Sequence, residues 1–534
     1  MHKLLLLATS VALTCLVTQA NAQAPVLGTS SSFALFSTNG AVSNTGLSHL
    51  TGNVGTNNGP NNNFGNVDGV MHNSNGTTAA AAADLTIAYN QLDAAIPNFF
   101  PSSLLGNGET LEPGTYFIGE SASLNNTLTL DADGDENAVF IFQIEGSFSS
   151  AAGSQVILTN GALACNVFWK IEGLVDLATN TSIKGTIVAN NAAIVFNSGV
   201  LLEGRALSTT GAITVSGVTV TTPLGCGTLE LTGPVAPPLN SVACYTVFSG
   251  NGEVTNTGIS FVTGDIGTNV GLTTGFQAEN VDGTIHPNPD VSTAQCAADL
   301  NNVYTYLNTL PVDIELLFPA AFGQDLVLTP HTYLMNAATV LTGTVILNAQ
   351  DNPDAVFVIK INGALSTSTY ATVELINGAK AENVFWKVDG AINLNDYADY
   401  KGTVIGNNGA VILNLGVNIE GRVLSTSGGI TTFGINAEMT PGCDNLSTPS
   451  TTAANNAAKL YPNPFSSSLT IDLAGIDASS SELTIYNTLG ALVYKTELTQ
   501  NNTELSLNLP TGIYYYRVAT SNGADQTGKL VSKQ

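Results

Sequence analysis

Residues 167–216 read VFWKIEGLVDLATNTSIKGTIVANNAAIVFNSGVLLEGRALSTTGAITVS, and this stretch indicates how most of the chain folds. A short apolar strand recurs in it at nearly regular intervals, with one copy beginning at Val167, the next at Gly185 and a third at Gly204. Each copy turns at Gly or Asn and continues as an alternating strand, after which a third short stretch leads back. A period of about 20 residues with three strands per turn predicts a β-helix.

The body of the chain contains this arrangement twice. NGAVSNTG at 39–46 returns as NGEVTNTG at 251–258, and NVFWKIEG at 166–173 returns as NVFWKVDG at 383–390. Two tandem β-helical domains follow, joined by a Pro-rich linker. The predicted segments are a first domain at 24–227, a linker at 228–240, a second domain at 241–444 and a second linker at 445–458.

One segment of each domain departs from the strand pattern. Residues 78–95 are rich in Ala, carry apolar side chains at helical spacing and stop before Pro97; residues 293–310 repeat this and stop before Pro311. Each segment predicts an amphipathic helix of roughly five turns. The first strand of each coil is apolar on both of its faces, so we expect the helix to cover it.

Residues 1–22 have the features of a secretory signal peptide. Lys3 precedes an apolar run, and Ala20-Asn21-Ala22 is typical of a cleavage site. No other apolar run reaches the length that a membrane span needs. We therefore expect an exported chain.

The last segment, 459–534, alternates short strands with turn residues, which predicts a small β-sandwich. It also resembles the C-terminal sorting domain of the bacterial type IX secretion pathway. The resemblance implies transport by the type IX secretion machinery and then release or attachment at the cell surface. The matching motifs are Tyr461-Pro462-Asn463-Pro464-Phe465, Leu489-Gly490, Thr511-Gly512-Ile513-Tyr514 and Gly528-Lys529-Leu530-Val531.

Acidic residues dominate the charge of the two repeated domains. The chain has 14 basic and 40 acidic residues, a net charge of −26, and residues 23–444 hold 8 of the basic and 34 of the acidic ones. Such a surface repels phosphate groups and anionic lipid, so we expect no nucleic-acid partner and no insertion into a membrane. We also expect a monomer without a cofactor or a metal.

Several phrases shared by both domains resemble the ice-binding proteins of bacteria, fungi and algae. The phrases are N-T-G followed by T-G-x-[VI]-G, V-x-G-x-x-H, A-D-L-x-x-[AV]-Y, N-V-F-W and G-R-x-L-[SA]. The resemblance implies a mainly β fold, in which each domain is a right-handed β-helix flanked by one long α-helix. It also implies a secreted protein that adsorbs to an ice crystal surface and so inhibits ice growth and recrystallisation.

Binding to ice requires a flat, rigid and wide surface. Strands about 4.8 Å apart, with outward side chains roughly every 6.7 Å, supply a grid, and Thr suits it because its hydroxyl anchors water while its χ1 is stiff. Since the helix covers the first strand of each coil, we expect the second, alternating strand to form the ice-binding face. The expected contact residues are Thr127, Thr129, Ser149, Ala193, Val195, Ala212 and Thr214 in domain 1, and Thr342, Thr344, Ser366, Asn393, Ile412 and Thr431 in domain 2.

This face has no strict copy of the repeated T-[AG]-x-[TN] motif found in some family members. Asp176 also faces outward in domain 1, where a charge suits ice poorly. The same positions are the solvated positions of any β-helix, so a purely structural interpretation stays open. A surface adhesin or matrix protein on this scaffold is one alternative function. A polysaccharide-active enzyme is another, although it would cluster its charges along a groove and the eight basic residues of the body are scattered; we expect no enzyme.

Five cysteines remain once the signal peptide is removed, so at least one is unpaired within the chain. Cys165 and Cys226 flank the last three coils of domain 1, and we expect them to form a disulfide. Cys443 is then the expected odd thiol, and Cys244–Cys296 is a candidate second pair.

Three further patterns have both a structural and a functional interpretation. Asp131–Glu136 resembles a calcium loop but lacks the EF-hand spacing; Asp68 and His72 suggest a metal or acid–base pair; and Trp169 and Trp386 suggest a sugar platform. We favour turns for the first two patterns and core packing for the tryptophans.

Overall fold

The structure, a computed structural model, describes residues 22–227, 230–443, 458–473, 481–488, 490–519 and 525–533. The predicted signal peptide up to Asn21, most of the second linker and Leu489 of the sorting motif lie outside this range. The chain divides into two compact units, residues 1–442 and 443–534, so the two repeated domains form one unit.

Parallel strands wind into coils in both domains, as the short strand period of the sequence predicts. Each coil has three strands, whose faces we call the first, second and third face in chain order. The second face is a sheet of its own. In domain 1 it consists, in spatial order, of Leu104–Gly106, Ala122–Asn125, Phe148–Ser150, Val175–Leu177, Ile194–Phe196, Ile213–Ser216, Val42–Thr45 and Asn61–Asn62; in domain 2 it consists of Phe322–Gly323, Thr339–Thr342, Leu365–Thr367, Ile392–Leu394, Val411–Leu413, Ile430–Phe433, Val254–Thr257 and Thr273–Thr274.

The first and third faces merge into one larger sheet, because some strands run through both and bend at a glycine. Gly185 is such a corner, with φ +103° and no room for a side chain: a Cβ would lie 2.4 Å from the carbonyl oxygen of Val167. The strands of this sheet in domain 1 are Phe33–Ser37, His49–Thr51, Asn53–Thr56, Met71–Asn73, Glu109–Leu111, Gly114–Ile118, Thr127–Asp131, Phe140–Ile144, Gln155–Thr159, Val167–Ile171, Ser182–Ala189, Leu201–Ser208 and Thr219–Thr221.

Domain 2 repeats this sheet with one more short strand. Its strands are Tyr245–Ser249, Phe261–Thr263, Asp265–Thr268, Val281–Asp282, Ile314–Glu315, Leu326–Leu328, Thr332–Met335, Thr344–Asn348, Phe357–Ile361, Thr372–Ile376, Val384–Val388, Asp399–Gly406, Asn418–Ser425 and Asn436–Glu438. Short 3-10 helices lie at Gly28–Ser32, Ala164–Asn166, Asn240–Cys244, Ala278–Asn280, Pro319–Ala321 and Ala381–Asn383.

The coils do not stack in the order of the sequence. The first coil of domain 1 lies beside the last, with Leu35 opposite Ala206 and Ser43 opposite Thr214. The chain therefore starts inside the stack, runs to one end, and must return to the other end before it winds back. The helix makes that return: its 18 residues span about 27 Å, or between five and six coils.

The helices are α1, Gly76–Asp93, and α2, Val291–Thr309. Both begin two residues earlier than the sequence predicts, because Asn75 and Asp290 cap their first turns. They also end earlier, α1 by two residues and α2 by one. As expected, α1 covers the first face: its Leu85 and Leu92 pack with Phe168 in one buried cluster. Neither helix is long and apolar enough to cross a membrane, a statement that holds for the described part of the chain.

Polar side chains fasten the helix ends to the first face. Gln143 donates hydrogen bonds of 2.7 and 2.8 Å to the carbonyls of Leu92, in the last turn of α1, and of Ala95, just beyond its end. Lys360 occupies the same place in domain 2 and donates to the carbonyls of Asn308 and Leu310. Carbonyls at the C-terminal end of each helix thus gain side-chain partners from the first face.

The interior of each β-helix is a single apolar core. Trp169 is fully buried, stacks on Phe142 with 4.0 Å between ring centroids, and donates its indole N–H to the carbonyl of Lys184. Trp386 is buried in the same way and donates to the carbonyl of Lys401. These contacts confirm core packing as the role of both tryptophans.

The expected disulfide Cys165–Cys226 is present. The expectation for the other cysteines is wrong: Cys244 and Cys443 are both disulfide-bonded, and Cys296 is the free thiol among the described residues. The reason is that Cys296 lies on the buried side of α2, within the apolar cluster that seats the helix. Helical spacing thus takes Cys296 into the core, while Cys244, its expected partner, is bonded elsewhere.

The third faces of the two domains contact each other where His49–Thr51 meets Leu326–Leu328. Beside this contact, the side chain of Asn66 accepts a 2.9 Å hydrogen bond from the backbone N–H of Phe318 and donates one to its carbonyl. The two β-helices are therefore held together by side chains as well as by the linker.

The described residues of the second unit form a three-stranded and a four-stranded antiparallel sheet around one apolar core, as the alternating pattern predicts. The strands are Lys459–Tyr461, Ser468–Asp472 and Asn502–Ser506 in the first sheet, and Leu492–Leu498, Ser481–Asn487, Gly512–Ala519 and Asp525–Ser532 in the second.

Candidate functional site

The second face of each domain carries outward side chains in straight columns. Parallel pairing keeps one register from coil to coil, for example from Asp176 to Val195 and from Val195 to Thr214. The central column of domain 1 is Leu104, Ser123, Ser149, Asp176, Val195, Thr214, Ser43 and Asn62. That of domain 2 is Val340, Ser366, Asn393, Ile412, Thr431, Thr255 and Thr274.

A second column runs beside each central column, and its middle part consists of small residues; it also includes Leu174 in domain 1, and Glu253 and Leu272 in domain 2. In domain 2 the backbone N–H groups of three successive strands donate to the carbonyls of Ala364, Ala391 and Ala410, with distances of 2.8 to 2.9 Å. In domain 1 the carbonyls of Ala193 and Ala212 accept in the same way, at 3.0 and 2.9 Å. Short side chains at these positions leave the middle of the central column as the most prominent row of the face.

Charge is rare within the second-face strands, although the exposed Glu253 lies directly before the strand Val254–Thr257. The eight second-face strands of domain 2 contain no charged residue, and those of domain 1 contain one, Asp176. The third-face strands contain ten. Those residues are Glu109, Asp131, Lys184 and Glu203 in domain 1, and Asp282, Glu374, Asp399, Lys401, Glu420 and Glu438 in domain 2.

The single charge is partly satisfied by a neighbour. Asn197 donates a 2.9 Å hydrogen bond to a carboxylate oxygen of Asp176. At the equivalent place in domain 2, Asn414 donates a 2.8 Å hydrogen bond to the amide oxygen of Asn393. The two domains thus share one arrangement, with a charged acceptor in domain 1 and a neutral one in domain 2.

Most of the residues expected on the second face lie there. Ala193 and Ala212 lie in the small-residue part of the second column, and Thr342 ends its second-face strand opposite Gly323. The central columns contain Ser149, Val195, Thr214, Ser366, Asn393, Ile412 and Thr431.

Three expected residues lie on the third face instead, which corrects their assignment to one surface. Thr127 and Thr129 pair with Gln155 and Ile157, and Thr344 pairs with Thr372. The chain turns this corner with one left-handed residue, Asn126 at φ 53° in domain 1 and Gly343 at φ 66° in domain 2. So short a turn leaves the apolar–polar alternation of the sequence unbroken. The sequence pattern therefore looks like one strand, although it contains two strands on different faces.

The sequence also concealed several members of the columns. Ser43 and Asn62 in domain 1, and Thr255 and Thr274 in domain 2, belong to coils that precede the helix in sequence. Their strands alternate like the others, VSNT at 42–45 and VTNT at 254–257, and this is the signal that could have revealed them.

The other candidate patterns have structural roles. Asp131 accepts the backbone N–H of Asp133 at 2.9 Å, which makes that loop a side-chain-capped turn. His72 lies 3.0 Å from the amide of Asn75, and burial lowers the pKa of this histidine. Asp68 binds the other β-helix instead of His72. Across the described ranges, no three His, Cys, Asp or Glu side chains gather as metal ligands would.

Both β-helical domains match one protein family. Residues 36–221 and 248–437 match the ice-binding-like family, and residues 459–533 match the secretion system C-terminal sorting domain. An ice-binding protein of Nostoc sp. (strain HG1) is 39% identical over 194 residues, which are 36% of this chain and 71% of that protein. An ice-binding protein of Colwellia sp is 36% identical over 147 residues, 27% of this chain and 56% of that protein.

A solved structure resembles the two tandem domains together. It is the crystal structure of an ice binding protein from an Antarctic bacterium of the Flavobacteriaceae, 74% identical, with a TM-score of 0.78 over 79% of this chain and 100% of that one. With both β-helical domains matched and the sorting domain at the C-terminus, the chain belongs to the ice-binding-like family and is a secreted or cell-surface-attached member of it.

Proposed function

We propose that this protein adsorbs to ice through the second faces of its two β-helices and thereby inhibits ice growth and recrystallisation. It does so outside the cell, as a monomer whose two faces belong to one compact unit. The observation that carries the proposal is the pair of nearly charge-free, in-register columns on the second faces, set beside third faces that carry ten charges.

A face of this kind suits ice for a physical reason. An ionised side chain holds water in a tight shell that does not match a crystal lattice, whereas hydroxyl, amide and methyl groups let water take a regular array. The strand spacing of about 4.8 Å repeats these groups across the whole face. Waters that bridge two surfaces cost little compared with direct contacts, so many weak contacts add up over a broad plane.

The third face is less suited to the same role. Its charged residues include the ion pair between Lys184 and Glu203, with 2.7 Å between the charged atoms. Part of it is also covered where the two domains meet, at His49–Thr51 and Leu326–Leu328. We expect no enzymatic activity from the second faces, because their strands together hold a single carboxylate, Asp176, and acid–base catalysis uses a pair.

Two faces on one compact unit can act together. Once one domain adsorbs, the other domain is held close to the crystal. If both second faces reach the ice, the effective concentration of the second domain at the ice surface rises and the chain binds more tightly. The junction contacts of Asn66 support this, since they hold the second domain without relying on the linker.

The test is the thermal hysteresis and the recrystallisation inhibition of the purified mature chain. We expect both effects at micromolar concentration, and we expect neither from an unrelated acidic protein at the same concentration. If the mature chain leaves ice crystals free to grow and coarsen, the proposal is wrong. Variants that alter one face at a time then test which surface is responsible.

A further inference from the structure

Two tyrosines of domain 2 occupy left-handed turn positions between the second and third faces. Tyr370 and Tyr397 both have φ 58°. The next coil has Gly416 at this position, and the equivalent residues of domain 1 are Gly153 and Asn180. Left-handed backbone suits Gly and Asn and costs a bulky residue conformational energy. Such an outlier indicates a functional reason for the side chain.

The two rings form an ordered stack on the surface. Their centroids are 5.2 Å apart and their planes differ by 11°. The ring of Tyr397 lies over Gly416, where an added Cβ would come within 2.5 Å of a ring carbon. The glycine is therefore what makes room for the stack.

The outer face of the stack is open. On the side of Tyr370 away from Tyr397 lies Gly343, and an added Cβ there would meet nothing closer than 4.0 Å, the backbone nitrogen of Gln324. Tyr370 is 70% exposed and Tyr397 is 47% exposed. A flat aromatic surface thus faces solvent over the coil of Gly343.

We propose that Tyr370 and Tyr397 form a carbohydrate-binding platform, which takes a pyranose ring of an uncharged polysaccharide. One face of such a ring presents C–H groups, which stack on the electron-rich face of an aromatic ring. Thr369 and Asp396, which precede the two tyrosines in the same turns, are exposed and offer hydrogen-bonding groups to sugar hydroxyls. One carboxylate oxygen of Asp396 also accepts the backbone N–H of Leu415 at 3.2 Å.

Charge and size distinguish this ligand from other stacking partners. Nucleobases also stack on tyrosine, but the net charge of −26 and the carboxylate of Asp396 repel a phosphate backbone. A stable protein partner would bury about 800 Å² on each side, whereas the adjoining turn adds one exposed apolar side chain, Leu415. The platform lies at a corner and leaves the columns of the second face free, so the protein can hold a polysaccharide and ice together.

The test is native affinity electrophoresis of the mature chain in gels that contain a neutral β-glucan, a galactomannan or a dextran. We expect at least one of these polymers to retard the chain. The double variant Tyr370→Gly, Tyr397→Asn copies the residues of domain 1, so it should fold; it should lose most of the retardation, roughly two- to tenfold in affinity for each ring. Leu415→Ser, on the same row of turns, is the control and should be retarded like the parent.

Three results would overturn the proposal: no retardation by any neutral polymer, equal retardation of the parent and the double variant, or binding to single-stranded DNA only. A thermal unfolding curve completes the test. If the double variant unfolds at a lower temperature while its retardation is unchanged, the tyrosine stack stabilises the fold and does not bind polysaccharide. Because the assay contains no ice, its outcome is independent of the function proposed above.

Discussion

The hydroxyl of Tyr333 in domain 2 donates a 2.6 Å hydrogen bond to the carboxylate of Asp68 in domain 1. The other carboxylate oxygen accepts a 2.8 Å hydrogen bond from the hydroxyl of Thr329. Asp68 is only 3% exposed, and a buried carboxylate is tolerated only with partners of this kind. Asp282, its equivalent in domain 2, is exposed. The buried contact is therefore a property of the domain junction and not of the repeat.

Replacing Asp68 by Ala should loosen this junction. The hydroxyls of Tyr333 and Thr329 would lose this acceptor and keep only the carbonyl of Thr329 and the ring of His331 as partners, which should lower the free energy of unfolding by about 2 kcal/mol. The matched variant Asp282→Ala should change it by less than about 0.5 kcal/mol, because that residue is exposed. Urea unfolding of the mature chain measures both values. Equal effects of the two variants would mean that Asp68 has no special role.

The stability of the junction should depend on pH. Burial raises the pKa of Asp68 above its ordinary value of 3.8, against the opposing effects of His331 and of the hydroxyls of Tyr333 and Thr329. The folded state therefore holds a proton more firmly than the unfolded state. The resulting stability is present at low pH and is lost as the pH rises from about 4 through the pKa of the folded state. Thermal unfolding between acidic and neutral pH measures this, and Asp68→Asn should remove that part of the dependence.

The face that binds ice can be identified with four bulky substitutions. Thr214→Tyr and Thr431→Tyr place a ring on the second face of domain 1 and of domain 2, and each should lower thermal hysteresis by roughly half if the domains contribute equally. Thr129→Tyr and Thr372→Tyr place the same ring on the third faces and should have little effect. Larger losses from the third-face pair would move the binding surface to that sheet.

A charge swap tests why the second face is nearly free of charge. Asp176→Asn removes the carboxylate of domain 1, and Asn393→Asp introduces one at the equivalent place in domain 2. We expect the first change to raise thermal hysteresis and the second to lower it, because Asp and Asn have nearly the same shape and differ mainly in hydration. If neither change has an effect, charge does not limit adsorption.

Thiol titration checks the cysteine assignment. Without the signal peptide, the chain should react with a thiol reagent once per molecule after unfolding in denaturant, at Cys296, and hardly at all when folded. Burial raises the pKa of this thiol and also shields it from the reagent. Cys296→Ala should abolish the reaction. A second reactive thiol would show that Cys244 and Cys443 are not both in disulfides.

Local patterns were sufficient to predict much of this architecture. The strand period seen at Val167, Gly185 and Gly204 predicted the number of residues in one coil. The spacing of apolar residues in 78–95 predicted which side of the helix is buried. Both patterns are local: the first is visible within two coils of the β-helix and the second within two turns of the α-helix. The phrases that return in the same order marked the tandem repeat. The charge-poor second face was predicted in part, because residues such as Thr214 and Asn393 alternate with buried neighbours.

The sequence by itself thus determined the kind of coil, the covering helix, the tandem repeat and the sorting domain. Only the tertiary structure decided which strands are neighbours. Ser43 lies beside Thr214, and Asp68 of the first domain reaches Tyr333 of the second. Pairing between strands so distant in sequence depends on the packing of whole coils, which no local period records. The corner at Asn126 could not be predicted for a different reason, which is local. Its turn is so short that the apolar–polar alternation continues through it, although the strands before and after it lie on different faces.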